Sequence, residues 1–278
     1  MMGSMAAFTL NDTMTKTTGG EVPLFQLLFL RGLISISLLL ILWGRLGPMH
    51  LRLSRRDWKL VGIRSASEVG ASYFFVTALF NMPLANLSAI LQSLPLTVTL
   101  GAALFYREAV GWKRMSAILV GFMGVMLIVK PGTEGFNIWS VYALVAVLFV
   151  TVRDLSTRRL SGDVPSMTVT LAAVLSVTVF SGVAQLATPW APVSGTHWTA
   201  IAAAAVFVLM GYYFSVQTMR IGEISFIAPF RYTGLIWALI LGWFVFGDWP
   251  LPSTLAGAGI VAATGLFTLY RERKLSRR

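Results

Sequence analysis

The feature that most constrains this chain is a run of ten apolar windows, most of them close to 20 residues long, separated by short gaps that hold most of the Lys and Arg. A helix needs about 20 apolar residues to cross the hydrocarbon core of a bilayer, where every backbone polar group must be satisfied internally. The windows cover residues 2–17, 24–43, 60–80, 84–106, 112–130, 138–153, 166–188, 198–219, 224–247 and 253–270. The chain therefore reads as an all-α integral membrane protein of about ten transmembrane helices. With 56% hydrophobic and 12% charged residues in 278, too little polar surface remains to cover a water-soluble globule of this size. No long polar stretch interrupts the windows, so one membrane domain is expected. The first window is short, which fits either a tilted helix in thinned lipid or a true start upstream of Met1. No basic segment leads into a small-residue cleavage site, so this window is read as a span and not as a removable leader.

A net charge of +11 would suit a nucleic-acid partner if it were clustered on a polar surface. Here it sits between apolar windows, where it sets membrane orientation, and no nucleic-acid partner is expected. With both termini cytoplasmic, the inner segments hold Arg45, Arg52, Arg55, Arg56, Lys59, Arg107, Lys113, Arg114, Arg153, Arg158, Arg159, Arg220, Arg271, Arg273, Lys274, Arg277 and Arg278, or 17 of the 22 cations. Lys16 and Lys130 fall outside, and Arg31, Arg64 and Arg231 fall within windows. Trp43, Trp58, Trp112, Trp139, Trp198 and Trp249 lie near window ends, as interfacial anchors do. The expected location is a bacterial-type inner (plasma) membrane. The chain has no cysteine, and its two histidines, His50 and His197, lie in gaps. Neither a metal site nor a cofactor is expected.

The two halves of the chain match at a nearly constant separation. A shift of 142 residues carries Thr9, Asp12, Thr15 and Lys16 onto Thr151, Asp154, Thr157 and Arg158, and Glu21-Val22-Pro23 onto Asp163-Val164-Pro165. A shift of 140 carries Tyr106 and Glu108 onto Phe246 and Asp248. Chance identity among apolar residues does not readily place acids, prolines and threonines in register. Five spans per half is an odd number, so the second copy enters the membrane with opposite orientation. The expected organisation is two inverted five-helix repeats, over residues 1–136 and 137–278.

Phe29-Leu30-Arg31-Gly32, the run from Asn86 through Pro95 to Arg107-Glu108, Gly121 and Gly124, and Asp248 and Gly257 together resemble the drug/metabolite transporter superfamily, in particular its EamA-type carriers. The resemblance extends over essentially the whole chain. It implies a ten-span, five-plus-five carrier of small metabolites. Ala228-Pro229-Phe230-Arg231-Tyr232 is similar to a segment of family members that take up S-adenosylmethionine and of others that carry riboflavin. These motifs specify the fold better than the cargo.

Ionisable groups within spans are costly unless they face a partner or a wet cavity, so they are the first candidates for substrate binding or gating. Arg64 and Glu68 lie four apart on one helical face, either as a gate with a proton-accepting carboxylate or as a self-neutralised pair. Arg231, just after Pro229, could meet an anionic group, or it could be held by Asp154 or Glu223. Arg31 is expected to form a structural pair with Asp12. Asp12 and Asp154, in matching positions, could act as mirrored gates or as helix caps. Tyr73, Phe74, Tyr212, Tyr213, Tyr232 and Trp237 could line a cavity, although most aromatics in a bundle simply pack. Asn86, Gln92 and Gln217 need hydrogen-bond partners in the bundle or on a ligand.

The function expected from these features is secondary transport of a small metabolite by alternating access, with S-adenosylmethionine, riboflavin or an amino-acid-like compound as cargo. Drive would come from the cargo gradient, a proton or exchange, since no phosphate-cradling loop suggests ATP. The alternatives are a lipid flippase or accessory membrane subunit and, more remotely, an integral membrane enzyme. No clustered catalytic constellation supports the enzyme.

Overall fold

A computed structural model describes residues 1–42, 50–107, 111–130, 137–221 and 228–276. Trp43, Arg45, Glu108, Glu223, Arg277 and Arg278, and the side chains of Gln217, Arg220, Pro229 and Arg273, lie outside the described residues. The elements in chain order are α1 (Met2–Thr17), α2 (Leu24–Ile41), α3 (Arg55–Asn81), α4 (Leu84–Leu91), α5 (Leu94–Tyr106), α6 (Trp112–Val129), α7 (Ile138–Arg158), α8 (Ser166–Gln185) and α9 (Gly195–Ile221). A 3-10 turn (Ala228–Tyr232), α10 (Thr233–Phe246) and α11 (Pro252–Ser276) follow. There is no strand among the described residues.

Among the described residues, seven stretches are long and apolar enough to cross a membrane: α2, α4 with α5, α6, α7, α8, α9 and α11. Phe230–Phe246 is apolar but shorter. α1 stays out of this set because it has only 16 residues and because its Thr, Asn, Asp and Lys side chains dilute its apolar character. α3 has 27 residues, but Arg55, Arg56, Asp57, Lys59, Arg64 and Glu68 dilute its apolar character.

Local chemistry sets the boundaries. Pro23, Pro83 and Pro165 stand immediately before α2, α4 and α8, where a missing N–H costs nothing and a preceding helix cannot continue. Ser54 caps α3, its hydroxyl accepting from the Asp57 N–H at 3.0 Å while donating to the Asp57 carboxylate at 2.7 Å. The window at 84–106 is interrupted at Gln92-Ser93. Pro95 has no N–H to return to the Leu91 carbonyl, so α4 stops and α5 restarts one turn on. α5 ends at Tyr106 with Arg107 in the left-handed region (φ 55°), and α10 ends at Phe246 with Gly247 likewise (φ 70°). The two caps are 140 residues apart, the separation noted in the sequence.

The helices pack in related pairs. α3 runs along α7 as α1 runs along α9, α3 also meets α8 as α2 meets α9, and α7 meets α4 and α5 as α1 meets α10. α2 packs on α8 and α6 on α11. Small residues allow these approaches. A Cβ on Gly70 of α3 would lie 2.7 Å from the Phe149 ring of α7, and one on Gly211 of α9 would lie 2.8 Å from the Phe8 ring of α1. Gly124 of α6 and Gly257 of α11 meet backbone to backbone, because a Cβ on either would fall within 2.8 Å or 2.5 Å of the other's carbonyl oxygen. The largest buried apolar cluster draws on the α4, α6, α7, α10 and α11 side, including Leu87, Ile90, Leu96, Ile118, Val125, Val147, Ala238 and Val261. The polar interior lies elsewhere.

Candidate functional site

That polar interior surrounds a cavity of about 70 Å³ between α2, α3, α8 and α9. α2 contributes Leu28, Arg31, Gly32 and Ser35, and α8 contributes Thr170, Ala173, Val174 and Val177 along with Thr178. Each of the four α2 positions is 142 residues before one of the first four on α8 (28 to 170, 31 to 173, 32 to 174, 35 to 177). α3 contributes Arg64, Glu68 and Ser72, and α9 contributes Val208, Leu209 and Tyr212; here 68 maps to 208 and 72 to 212, a separation of 140. The two walls come from matching places in the two halves but differ in chemistry. The α2–α3 wall carries Arg31, Arg64 and Glu68, while the α8–α9 wall carries no formal charge.

An antiparallel register between α3 and α7 organises the charges. Arg64 and Glu68 are one turn apart on α3, and Thr157 and Arg153 are one turn apart on α7, so each meets its opposite number. Arg64 Nε donates to Thr157 Oγ1 at 3.0 Å, and its Nη1 reaches the Val169 carbonyl at 3.5 Å. Arg153 Nη1 lies 3.4 Å from both Glu68 carboxylate oxygens, and its Nε donates to Asp154 Oδ1 at 2.9 Å. The expected Arg64–Glu68 pair is thus replaced by Glu68–Arg153–Asp154. These three side chains are one-third exposed or less, at 14%, 20% and 29%.

On α1 the related segment forms a similar relay. Asn11 Nδ2 donates to Asp12 Oδ1 at 2.9 Å, as Arg153 donates to Asp154, and Arg31 Nη1 donates to Asn11 Oδ1 at 3.3 Å and Thr15 Oγ1 at 3.4 Å. Arg31 therefore reaches α1, as expected, but bonds to neutral oxygens; Asp12 is within its Coulombic reach without a direct contact. The Tyr212 phenol lies in the fields of Glu68, Arg153, Arg64 and Arg31, and its ring packs edge-on against Phe8 at 5.2 Å.

Both ends of the bundle carry a cation–aromatic latch. At one end Lys16 Nζ sits 5.3 Å from the Phe246 ring centroid, bonds the Leu79 carbonyl at 3.1 Å and also reaches the Met82 carbonyl. At the other, the Arg159 guanidinium lies 3.9 Å above the Tyr106 ring, whose hydroxyl donates to the Leu155 carbonyl at 2.7 Å. Phe246 and Tyr106 are the last residues of α10 and α5. Beside the second latch, Asp57 accepts from the Ser161 N–H and hydroxyl, each at 3.1 Å. The Ser54 hydroxyl foremost, then the Ser161 N–H, hold the Asp57 carboxyl below the usual carboxylate range.

Of the residues singled out in the sequence, Arg31, Arg64, Glu68 and Tyr212 line the cavity, and Asp154 and Asp12 join it through Arg153 and Asn11. The others lie elsewhere. Arg231 is exposed at the 3-10 turn, and Tyr232 is buried with its hydroxyl where a Gly265 Cβ on α11 would stand. Gln92 lies near Gly234 of α10, Asn86 buries an Oδ1 without a hydrogen-bond partner, Trp237 is half-buried on α10, and Tyr213 is exposed. Tyr73 stacks on Phe25 at 5.9 Å and packs edge-on to Phe74. Sequence reasoning assigned Arg31 a purely structural part and passed over Ser35, Ser72, Thr170 and Thr178. The four-residue spacing of Arg31 and Ser35, and of Arg64, Glu68 and Ser72, was the available signal for one polar wall.

The model of the EamA-like transporter family matches this chain twice, over residues 1–130 and 137–270. The chain belongs to the EamA-like transporter family. As a family member with these apolar helices, it is a multi-pass membrane protein and a small-molecule transporter. A riboflavin transporter of Vibrio cholerae is 29% identical over 229 residues, covering 82% of this chain and 76% of the relative. An S-adenosylmethionine uptake transporter of Rickettsia felis is 26% identical over 279 residues, covering 98% and 91%. A pseudopaline exporter of Pseudomonas aeruginosa is 24% identical over 288 residues, covering 99% and 96%. A crystal structure with 20% sequence identity superposes with a TM-score of 0.68 over 98% of this chain and 97% of its own, which shows a shared fold.

Proposed function

We propose that this EamA-family chain is a secondary carrier that moves a small metabolite across a bacterial-type inner membrane by alternating access. It would do so with ten spans arranged as two inverted five-helix repeats, residues 1–136 and 137–278, and with both termini cytoplasmic. The observation that carries this reading is the cavity, to which α2 and α8, and α3 and α9, contribute matching positions. A site built where two related halves face each other can be opened to either side by rocking one half on the other. The two matches to one family model, the related helix pairs and the latches at both ends of the bundle support the same reading. Gates at the two faces that share a design are what an inverted repeat produces, since each copy closes the end that its partner leaves open. Both latches are made in the structure.

Cargo in this reading is a compound of the size of an amino acid, S-adenosylmethionine or riboflavin, driven by its own gradient, by protons or by exchange. The deciding experiment reconstitutes the full chain in proteoliposomes and follows uptake of labelled S-adenosylmethionine, riboflavin and amino acids, with and without a pH gradient. Saturable uptake of one compound is the expected result. Absence of uptake, together with movement of labelled lipid between leaflets, would replace the metabolite carrier with a lipid carrier.

A further inference from the structure

We infer that the cargo carries a carboxylate or similar anionic group, and that Arg31 and Arg64 are the residues that receive it. This rests on the carrier reading above and narrows its cargo class. Three arginines lie in or beside the cavity, and they are not equivalent. Arg153 has two carboxylate partners, Glu68 and Asp154. Arg31 and Arg64 donate only to neutral oxygens among the described residues, at 3.3, 3.4, 3.0 and 3.5 Å. Three of these four bonds exceed the usual 2.7–3.2 Å range for N–H···O, so they hold the side chains loosely and can be exchanged. A guanidinium has five N–H donors, and each of these arginines uses two.

A cation facing a low-dielectric cavity without a contacting anion is costly, and an entering carboxylate relieves that cost while matching the guanidinium fork in geometry. The opposite sign finds no such place. Among the described residues, Glu68 is the only carboxylate lining the cavity, and it is paired with Arg153. Asp12 is drawn to the Asn11 amide and lies in the field of Arg31. The facing wall of Ala173, Val174, Val177, Val208 and Leu209 offers the remainder of the cargo an apolar surface. The cavity therefore selects an amphipathic organic acid, zwitterions included, over an amine of the same shape.

The test measures thermal stabilisation of the purified full-length protein by matched probes that differ in the carboxylate: tryptophan against tryptamine, phenylalanine against phenethylamine, and indole-3-acetate against tryptophol. The acid of at least one pair should bind about tenfold or more tightly than its partner, the value of one charge-assisted hydrogen bond. Arg31→Gln and Arg64→Gln should each erode that preference, and Arg31→Lys and Arg64→Lys should restore part of it. A merely structural arginine would change stability without changing the acid-to-amine ratio. Amines binding as well as acids, or no acid binding at all, overturns the inference. Saturable proteoliposome uptake of a cation or neutral compound would then leave the carrier reading standing, whereas lipid movement without uptake would remove both.

Discussion

The two walls of the cavity differ more than the helices that carry them. α2 and α8 occupy matching places in the two halves, as do α3 and α9, yet Arg31 faces Ala173 across the relation, Ser35 faces Val177 and Glu68 faces Val208. The scaffold positions have stayed alike where packing decides them, as with Phe149 on Gly70 and Phe8 on Gly211. The positions that line the cavity are unlike. Related helix packing thus goes with a lining whose charge lies on one side only.

The largest effect should come from breaking the charged wall at its centre. Arg153→Ala strands two partly buried carboxylates and should cost about 3 kcal/mol, read as a lower melting midpoint in detergent with loss of transport. Glu68→Gln combined with Arg153→Gln should recover much of the stability but not the transport. Next comes the scaffold: Gly257→Val forces side-chain atoms into the α6 backbone and should cost about 1–3 kcal/mol, while Gly62→Ala, with no atom within 4 Å of the new Cβ, should be neutral or stabilising. On the apolar wall, Val208→Ala should change the half-saturation concentration by about tenfold or less, leaving maximal rate intact. If it abolishes transport as Arg153→Ala does, the contrast between the walls is wrong.

The smallest effect concerns Asp57. Its folded pKa is depressed, so its contribution is fully present above the unfolded carboxylate value near about 4 and is lost as pH falls through the folded value. Melting midpoints of native protein and Asp57→Asn should differ by a constant small amount from about pH 5 to about pH 8 and converge in stronger acid.

What the sequence disclosed follows from what is local. Hydropathy windows match α1, α2, α6, α8 and α9 to within a turn, because lipid solvation acts on each segment separately, but miss one end of α3, α7, α10 and α11 by more than a turn. The Gln92-Ser93 break is absent from the unbroken 84–106 window, although its cause, Pro95, is local. Glu68 shows the limit. Its i,i+4 neighbour Arg64 is an available partner on α3, but the antiparallel register of α7 brings Arg153, 85 residues away, to the carboxylate instead. Arg231 shows the same limit in reverse: a cation beside a proline at a helix start reads as a ligand contact, whereas the fold leaves it exposed and away from the cavity. Which helix faces which is decided by packing among distant segments, and one sequence does not spell that out.

The seam between Gly124 and Gly257 bears on how such a molecule can move at all. With carbonyl oxygen against α-carbon on both sides, and Ile128 and Ile260 packed beside them, neither helix can slide along the other without driving one backbone into the next. Relative turning about the contact point is the displacement that leaves it undisturbed. In the carrier proposed above, such a seam would serve as a fulcrum between α6 and α11 on which one half could tilt against the other.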